Sequence, residues 1–440
     1  MKENSKSRYV ISLAILAFMF FVFGFVSWLN AILIPFFKVA CELTITQSFY
    51  VTFAFYFAYL VMSIPGGILL KKVGFKRGIM YGFFALSLGA LLFVPAALGR
   101  TFEIFLIGLY TMGTGLAILQ SAANPYVTII GPLDKTVQRM SMMGVCNKFA
   151  GIVSPLIFAA FTLRMKDTEI FAALPMMDEA AKNLVLDELI RRVILPYSLL
   201  SGLMLIIGLF IRYSVLPEID TEHESVEVAA SHGGKTNVLQ FPYLVLGALA
   251  IFLHVGTQAI AIDSAIGYGT AMGLSIVEAK GFASYTLTAT IIGYVIGIFC
   301  VPRFINQTNT LRICTLTGLI LSLCILFVPG EMILGGKLVK TSICFLFLLG
   351  LPNALIYAGI WPLAIRNLGR FTKIGSSIMV MGLFGNGALT LAYGKLADHL
   401  GASLTGIREA YWILIPCFLY LVYYAFHGHK ITSWTKNKNL

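Results

Sequence analysis

The sequence predicts an all-α membrane protein in which twelve transmembrane helices form two six-helix halves. Hydrophobic residues make up 58% of the 440 residues and charged residues only 12%, whereas about a quarter of a soluble domain is charged. A soluble core could not bury this much apolar surface, so the lipid bilayer must be the solvent. Long apolar runs recur along the whole chain, and one polar segment divides them six and six.

A spanning helix needs about 20 mainly apolar residues. Twelve segments meet this requirement, and an even number of spans places both termini on one side of the membrane. We number them span 1 to span 12, in this order: 9–37, 46–70, 77–98, 101–129, 140–162, 193–212, 241–270, 281–301, 312–329, 341–364, 374–395 and 409–427.

The distribution of Lys and Arg predicts the orientation of these spans. Most of the 32 Lys and Arg residues fall in cytoplasmic segments if both termini lie in the cytoplasm. Several of the others lie in the long loop 163–192, and long loops count for less than short ones. We therefore expect a multi-pass protein of the bacterial cytoplasmic (inner) membrane with both termini in the cytoplasm.

Composition also limits the class of partner. The net charge of +12 does not indicate nucleic-acid binding, because the basic residues lie between apolar segments and form no basic domain. The seven cysteines lie in or beside apolar runs without the spacing of disulfides or metal ligands. We expect no cofactor beyond a coupling ion. The N-terminal MKENSKSR leads into an apolar run without a small-residue cleavage site, so a removed signal peptide is not expected.

The longest predicted cytoplasmic stretch is 213–240, which is acidic and then glycine-rich. Such a composition is typical of a mobile linker. It separates an N-terminal six-helix half, 1–212, from a C-terminal half, 241–440. The halves share short sequence echoes around Asn147 and Asn386. Two related halves around a site near the middle of the bilayer are typical of transporters.

One charge of each sign remains inside the predicted spans. Away from the ends of the spans, Lys148 in span 5 is the only Lys or Arg, and Asp263 in span 7 is the only Asp or Glu. Charges at bilayer depth are costly unless they are paired or functional. We interpret the two as partners in which Lys148 neutralises Asp263, while direct contact of Lys148 with a ligand remains an equal alternative.

Amides and aromatic side chains recur in the spans. Sugar hydroxyls need groups that both donate and accept hydrogen bonds, and the apolar faces of a sugar suit aromatic rings. An anionic ligand would instead require clustered arginines. The pattern therefore predicts a neutral polyhydroxy ligand. The predicted substrate-binding residues are Trp28, Asn30, Gln120, Asn124, Asn147, Lys148, Gln258, Asn353, Tyr357 and Trp361.

Structural roles remain open for the same residues. Asn and Gln also join membrane helices by hydrogen bonds. Trp361 lies near a helix end, where aromatic residues often mark the membrane interface. His254 is more simply a hydrogen-bonded core histidine. For Asp263 a functional role is favoured, because a carboxylate inside the membrane is costly.

Several stretches of this sequence resemble one family of transporters. They occur in both halves, and they resemble the fucose permease and glucose/galactose transporter family of the major facilitator superfamily. This resemblance implies the major facilitator fold and sugar uptake by alternating access, usually with a cation. The stretches are GFVSWLNAILIPFFK (24–38), YFAYLVMSIPGGILLKKVGFKRG (56–78), LQSAANPYVTIIGP (119–132), MGVCNKFAGIVSPLIF (143–158), HVGTQAIAIDSAIGYG (254–269) and IWPLAIRNLGRFTKIGSSIMVMG (360–382).

The chain departs from the fucose permease branch of this family at two positions. The fucose permease branch has carboxylates at the positions of Ala31 and Gln120, where both are proposed to bind the coupling proton. Their absence resembles the glucose/galactose branch, which often has Glu at the position of Gln258 and shares an Asp at the position of Asp263. The resemblance thus implies that Asp263 carries the coupling ion, either a proton or Na⁺.

The sequence therefore predicts a cation-coupled importer of a monosaccharide, of the glucose/galactose type, that functions as a monomer in the bilayer. Loading of Asp263 would weaken its pair with Lys148 and bias the movement of the halves. An uncoupled facilitator and, less favoured, a drug-efflux antiporter are the alternatives. An enzyme is not expected, since one His, one Asp and one Lys away from the ends of the spans form neither a nucleophile–base set nor a metal site.

Overall fold

The structure, a computed structural model, describes residues 2–130, 136–164, 167–214, 237–301, 303–366, 368, 371–401 and 403–434. The described chain is almost entirely helical. Short 3₁₀ turns occur at Leu174–Met176, Val238–Gln240, Gly382–Phe384, Ala410–Ile413 and Gly428–Lys430. The α-helices are α1 Lys2–Trp28, α2 Asn30–Ala40, α3 Ile45–Val73, α4 Phe75–Leu91, α5 Phe93–Leu98, α6 Phe102–Ile129, α7 Thr136–Thr162, α8 Asp167–Ala173, α9 Glu179–Arg191, α10 Ile194–Tyr213, α11 Pro242–Asp263, α12 Ala265–Ala271, α13 Ile276–Ala279, α14 Phe282–Cys300, α15 Gln307–Phe327, α16 Ser342–Leu348, α17 Gly350–Ile365, α18 Thr372–Met381, α19 Gly385–His399, α20 Leu404–Glu409 and α21 Leu414–Phe426.

Within the described residues, twelve helical stretches are long and apolar enough to cross a bilayer, which confirms the predicted number of spans. Large apolar side chains such as Ile206, Phe210 and Phe299 are exposed on the outer faces of these helices, as a lipid environment allows. The stretches are Tyr9–Ala40, Ile45–Leu70, Lys76–Leu98, Phe102–Asn124, Arg139–Thr162, Glu179–Tyr213, Pro242–Asp263, Ile276–Cys300, Gln307–Phe327, Ser342–Ile365, Ile374–His399 and Leu404–Lys430.

The segment between spans 5 and 6 is more ordered than the loop predicted for 163–192. It contains α8 and α9, and α9 runs almost directly into α10. The Asp178 side chain caps α9 by accepting a hydrogen bond from the backbone amide of Ala181, which satisfies one of the free donors of the first turn. Leu186, Leu189 and Ile190 on one face are buried. This amphipathic helix was missed because only its short apolar stripe distinguishes it from a polar loop.

A second unpredicted element lies between spans 9 and 10. Strands β1, Glu331–Leu334, and β2, Lys337–Lys340, form an antiparallel hairpin. Gly335 and Gly336 connect them with φ of 56° and 81°, values that favour glycine in a tight hairpin turn. Residues 215–236 of the predicted linker lie outside the described residues, so the division of the chain at 213–240 stays a prediction.

The two halves meet along two pairs of helices. Span 2 packs against span 11, and span 5 packs against span 8. At Gly387 in span 11 a Cβ atom would lie 2.8 Å from the Cα of Phe53 in span 2. Gly144 in span 5 likewise leaves room for the ring of Tyr294 in span 8. These close contacts bring the polar residues of both halves to a common interface.

Candidate functional site

A cavity of about 500 Å³ lies between the two halves. This volume is within the usual range for small-molecule sites, roughly 300–1,000 Å³. Most of the predicted substrate-binding residues line its wall, and their role in binding stays a prediction. Asn353 lies outside the lining, and the side chain of Asn30 lies outside the described residues. The predicted residues in the lining are Trp28, Gln120, Asn124, Asn147, Lys148, Gln258, Tyr357 and Trp361.

The cavity extends toward the face of the molecule that carries the N-terminus. Its lining includes Phe20 from the first half of span 1, Met140 from the start of α7, and Gln307, the first residue of α15. At the opposite face the halves touch. There Asp398 accepts hydrogen bonds from the backbone amide and the hydroxyl of Thr46. A ligand in this cavity therefore has its shortest path out through the N-terminal face.

Asn147 joins spans 1 and 5 in this conformation. Its Oδ1 accepts a hydrogen bond of 3.1 Å from the Trp28 indole nitrogen, and its Nδ2 donates one of 3.2 Å to the Phe20 carbonyl. The two helices come this close because Gly24 has no side chain, since a Cβ there would lie 1.9 Å from the Asn147 carbonyl oxygen. Asn147 thus lines the cavity and also links two helices, while its role in substrate binding stays a prediction.

Lys148 crosses the interface between the halves, but it does not meet Asp263. Its ammonium lies 3.8 Å from the centre of the Trp28 ring and donates a 2.9 Å hydrogen bond to Gln258 Oε1. A cation over an indole face is favourable, especially when desolvated. Among the described residues no Lys148–Asp263 ion pair is present within 4.0 Å, although the two charges interact electrostatically. The direct contact inferred from the sequence is therefore absent in this conformation.

Helix geometry explains this correction. Gln258 and Asp263 are five residues apart on α11, which separates them by about 7.5 Å along the axis and about 140° around it. A lysine that reaches Gln258 thus cannot hold the carboxylate of Asp263 at the same time. Asp263 is buried and instead accepts a 3.0 Å hydrogen bond from the hydroxyl of Thr52 in span 2.

Span 10 supplies an aromatic platform. The rings of Tyr357 and Trp361 are stacked with their centres 5.7 Å apart and an angle of 28° between planes, and both line the cavity. Trp28 is less suited to this role, because the Lys148 ammonium lies over its ring. Asn353 is buried outside the lining, and neither atom of its amide has a hydrogen-bond partner among the described residues.

Span 4 contributes amides from the other half. Gln120 Nε2 donates a 2.8 Å hydrogen bond to the hydroxyl of Tyr59 in span 2. Asn124, one turn further along the same helix, is buried and also lines the cavity. Both amides therefore reach the cavity from one face of span 4, since residues four apart share a face of a helix.

The structure adds polar residues that the sequence analysis did not select. Asn386 in span 11 lines the cavity, donates to the Leu383 carbonyl, and has an Oδ1 without a partner among the described residues. Its sequence echo with Asn147 was the signal that could have identified it. Gln307 in span 9 also lines the cavity and donates a 3.0 Å hydrogen bond to the Ala358 carbonyl. In the described ranges no three His, Cys, Asp or Glu residues are grouped as metal ligands.

Comparisons with known proteins agree with this architecture, although no protein-family model matches the chain. The chain is 30% identical to the glucose/galactose transporter of Brucella abortus over 432 residues, which covers 98% of this chain and 97% of the relative. It is also 30% identical to the L-fucose-proton symporter of Escherichia coli K12, covering 97% and 94% of the two chains.

Solved structures confirm the predicted fold. The crystal structure of FucP, a major facilitator superfamily transporter in the outward conformation, matches with a TM-score of 0.71 and 27% identity over 95% of this chain and 98% of that one. An inward-facing bacterial homologue of the lysosomal transporter Spinster matches with a TM-score of 0.63 at 12% identity over 97% of this chain and 99% of that one, a likeness of fold alone. With the sequence relationships above, these matches show that the chain belongs to the major facilitator superfamily, in the family of the glucose/galactose transporters and L-fucose-proton symporters.

Proposed function

We propose that this protein imports a monosaccharide by alternating access and couples that uptake to a cation. The observation that carries the proposal is the cavity wall, where amides from both halves face a stacked Tyr357–Trp361 pair. Such a wall offers donors and acceptors for hydroxyls and a flat apolar surface for the sugar ring. The family supports the same class of substrate, since its named members include a glucose/galactose transporter and an L-fucose-proton symporter.

A sugar would lie with one face on the Tyr357–Trp361 pair. Its hydroxyls would then compete for Gln258, which accepts from Lys148, and would reach Asn386, which lines the cavity and whose Oδ1 has no partner among the described residues. Because Lys148 belongs to the N-terminal half and Gln258 to the C-terminal half, a sugar that binds both replaces a direct contact between the halves. The ligand thereby becomes part of the interface that alternating access must rearrange.

Asp263 is the group that we assign to coupling. It is a buried carboxylate at the interface between the halves. A proton or Na⁺ that binds there neutralises the charge, and coupling follows if the cation has different affinities for the two conformations. The functional unit would be a monomer, since the cavity lies wholly within one chain.

The distribution of Lys and Arg supports the orientation that we propose. Both termini would face the cytoplasm of a bacterium, with the spans in its inner membrane. The cavity, which extends toward the N-terminal face, would then be reached from the cytoplasm. This conformation is the one in which an importer releases its sugar and its coupling ion.

The test is sugar counterflow in proteoliposomes with a panel of hexoses, with and without Na⁺ and at two pH values. We expect counterflow of at least one hexose, together with accumulation against a gradient that depends on Na⁺ or on the pH gradient. Asp263→Asn should abolish accumulation but retain counterflow. Accumulation by Asp263→Asn would refute the coupling role, and uptake without accumulation by the wild type would indicate a facilitator. Transport of an apolar cation in place of sugars would indicate a drug antiporter.

A further inference from the structure

We infer that Thr52 is a positioning residue of the coupling site, whose hydroxyl ties the unloaded Asp263 carboxylate to the opposite half of the protein. This inference rests on the proposed function, because it takes Asp263 as the coupling group. Thr52 belongs to span 2 of the N-terminal half, and Asp263 ends span 7 of the C-terminal half. Thr52 Oγ1 donates to Asp263 Oδ2 at 3.0 Å, and both residues are buried.

Among the described residues, the Thr52 hydroxyl differs from those of the other buried threonines in that its partner lies in the other half of the protein. A helical threonine usually returns its hydroxyl to a carbonyl one turn back on its own helix, as Thr290 does with Thr286. Thr52 instead uses its hydroxyl on the other half. In the described parts of the chain it is the one hydrogen-bond donor to the Asp263 carboxylate. The Thr52–Asp263 hydrogen bond is therefore the direct contact through which the Asp263 carboxylate is held to the N-terminal half.

The packing around Thr52 fixes the position of that hydroxyl. Span 2 lies directly against span 11 at this depth, where a Cβ on Gly387 would lie 3.0 Å from the Thr52 carbonyl oxygen. Thr52 also has a branched side chain with few rotamers. The hydroxyl is thus held in place by backbone packing between the halves, and a rearrangement of the halves would change its distance from Asp263.

Other charged and titratable groups surround the carboxylate without bonding to it in the described structure. Lys148 on span 5 and Tyr56, one turn after Thr52 on span 2, interact with Asp263 electrostatically. His254, on the same helix as Asp263, interacts with Lys148. These groups contribute to the cation affinity of the site, but they do not provide the direct link between halves that Thr52 provides.

The physical consequence concerns the coupling ion. A hydrogen bond to a charged acceptor is stronger than one to a neutral acceptor. A cation that loads Asp263 therefore competes with the Thr52 hydroxyl and weakens this contact between the halves. Release of the cation restores the contact and favours the conformation seen in this structure. Thr52 thereby links the occupancy of Asp263 to the arrangement of the halves.

The experiment compares Thr52→Val, Thr52→Ser and the control Thr290→Val in proteoliposomes. Sugar uptake is measured as a function of the concentration of the driving cation, and counterflow is measured alongside. We expect the half-maximal cation concentration of Thr52→Val to fall on the order of tenfold, because the cation no longer competes with a hydroxyl bound to charged Asp263. Thr52→Ser should restore the wild-type value, Thr290→Val should keep it, and counterflow should persist in all three.

The outcomes separate this inference from the proposed function. An unchanged half-maximal concentration in Thr52→Val would overturn the role of Thr52, and so would an equal shift in Thr290→Val. A rise in the half-maximal cation concentration of Thr52→Val would also overturn this role, because it would mean that the Thr52 hydroxyl oxygen is a ligand of the cation. If Thr52→Val is inactive in counterflow, Thr52→Ala provides the same measurement. The coupling role of Asp263 itself fails only if Asp263→Asn still accumulates sugar.

Discussion

Lys148 shows how a buried cation can be satisfied without a carboxylate. Its charge lies over the Trp28 ring and its ammonium donates to the Gln258 amide oxygen. Two polarisable neutral partners replace the single anion that a buried ammonium otherwise needs. Under the proposed function, Lys148 would exchange Gln258 for a sugar hydroxyl more readily than it would leave a carboxylate, because a neutral acceptor binds an ammonium less strongly than a carboxylate does.

The two tryptophans at the cavity should respond differently to substitution. Trp361 stacks on Tyr357 in the cavity wall, so Trp361→Leu should raise the sugar concentration for half-maximal counterflow about three- to tenfold, the loss expected for one aromatic contact. Trp28→Phe should leave that concentration nearly unchanged, because Lys148 already covers the ring of Trp28. Counterflow titrations of both variants check this prediction.

The thermal stability of the same two variants provides the control. Trp28→Phe removes the indole donor to Asn147, so its unfolding temperature should fall even though its sugar affinity does not. Equal losses of sugar affinity in the two variants would contradict the assignment of the platform to span 10. A loss of sugar affinity in Trp28→Phe but not in Trp361→Leu would place the sugar ring on Trp28.

The sequence indicated most of the residues that line the cavity but not their contacts. Lys148 and Asp263 were found because charges inside apolar runs are conspicuous. Their pairing was wrong for this conformation, because the rotation of span 7 and the choice between Gln258 and Asp263 depend on how the halves pack. Thr52 lies in the apolar run of span 2, and nothing in that run indicates that its hydroxyl reaches another helix. Such contacts are properties of tertiary packing.

Among the helices, spans 1 and 5 form a close pair, and Gly24 is one of the glycines that allow their approach. A Cβ on Gly24 would lie 1.9 Å from the carbonyl oxygen of Asn147, so Gly24→Ala must push the two helices apart. We expect a lower unfolding temperature, with a loss of about 1–3 kcal/mol typical of overpacking. Thermal unfolding in detergent measures the change, and the Trp28–Asn147 hydrogen bond should be lost with it.

Gly202 in span 6 is the matched control. A Cβ on Gly202 would meet nothing within 4 Å, so Gly202→Ala should be neutral or should stabilise the protein by about 0.4–1 kcal/mol through the unfolded state. If both variants lost stability equally, the close approach at Gly24 would not be the cause.

Spans were more predictable than connections for a physical reason. A span must be long and apolar whatever it contacts, so all twelve could be located from composition, and the structure confirms their number. The helix α9 and the hairpin of β1 and β2 lie outside the apolar runs. There the pattern is short and polar, so local capping at Asp178 and the turn at Gly335 decide the structure.

On the scale of the whole molecule, the face opposite the N-terminus is closed by contacts between spans 2 and 11. Asp398 accepts a 2.6 Å hydrogen bond from the Thr46 backbone amide and another from its hydroxyl. Thr46 lies in the first turn of α3, where the helix dipole favours an anion. Next to it, the Phe49 and Tyr393 rings meet edge-on with their centres 5.7 Å apart. The Asp398 carboxylate thus holds the N-terminal end of span 2, in one half, to the C-terminal end of span 11, in the other half.

Asp398→Asn should therefore shift the protein toward a conformation in which this face is open. Loss of the charge weakens two hydrogen bonds to a helix N-terminus, each charge-assisted and worth more than a neutral bond. Spin labels at Glu103 and His399, exposed residues of the two halves, report the separation across this face. We expect a population with a longer distance between the two labels to appear or grow in Asp398→Asn.

The control is Asp178→Asn, which changes a helix cap within the N-terminal half alone. The distribution of distances between the labels in this variant should match that of the wild type. If Asp398→Asn also matches the wild type, Asp398 does not hold the face closed.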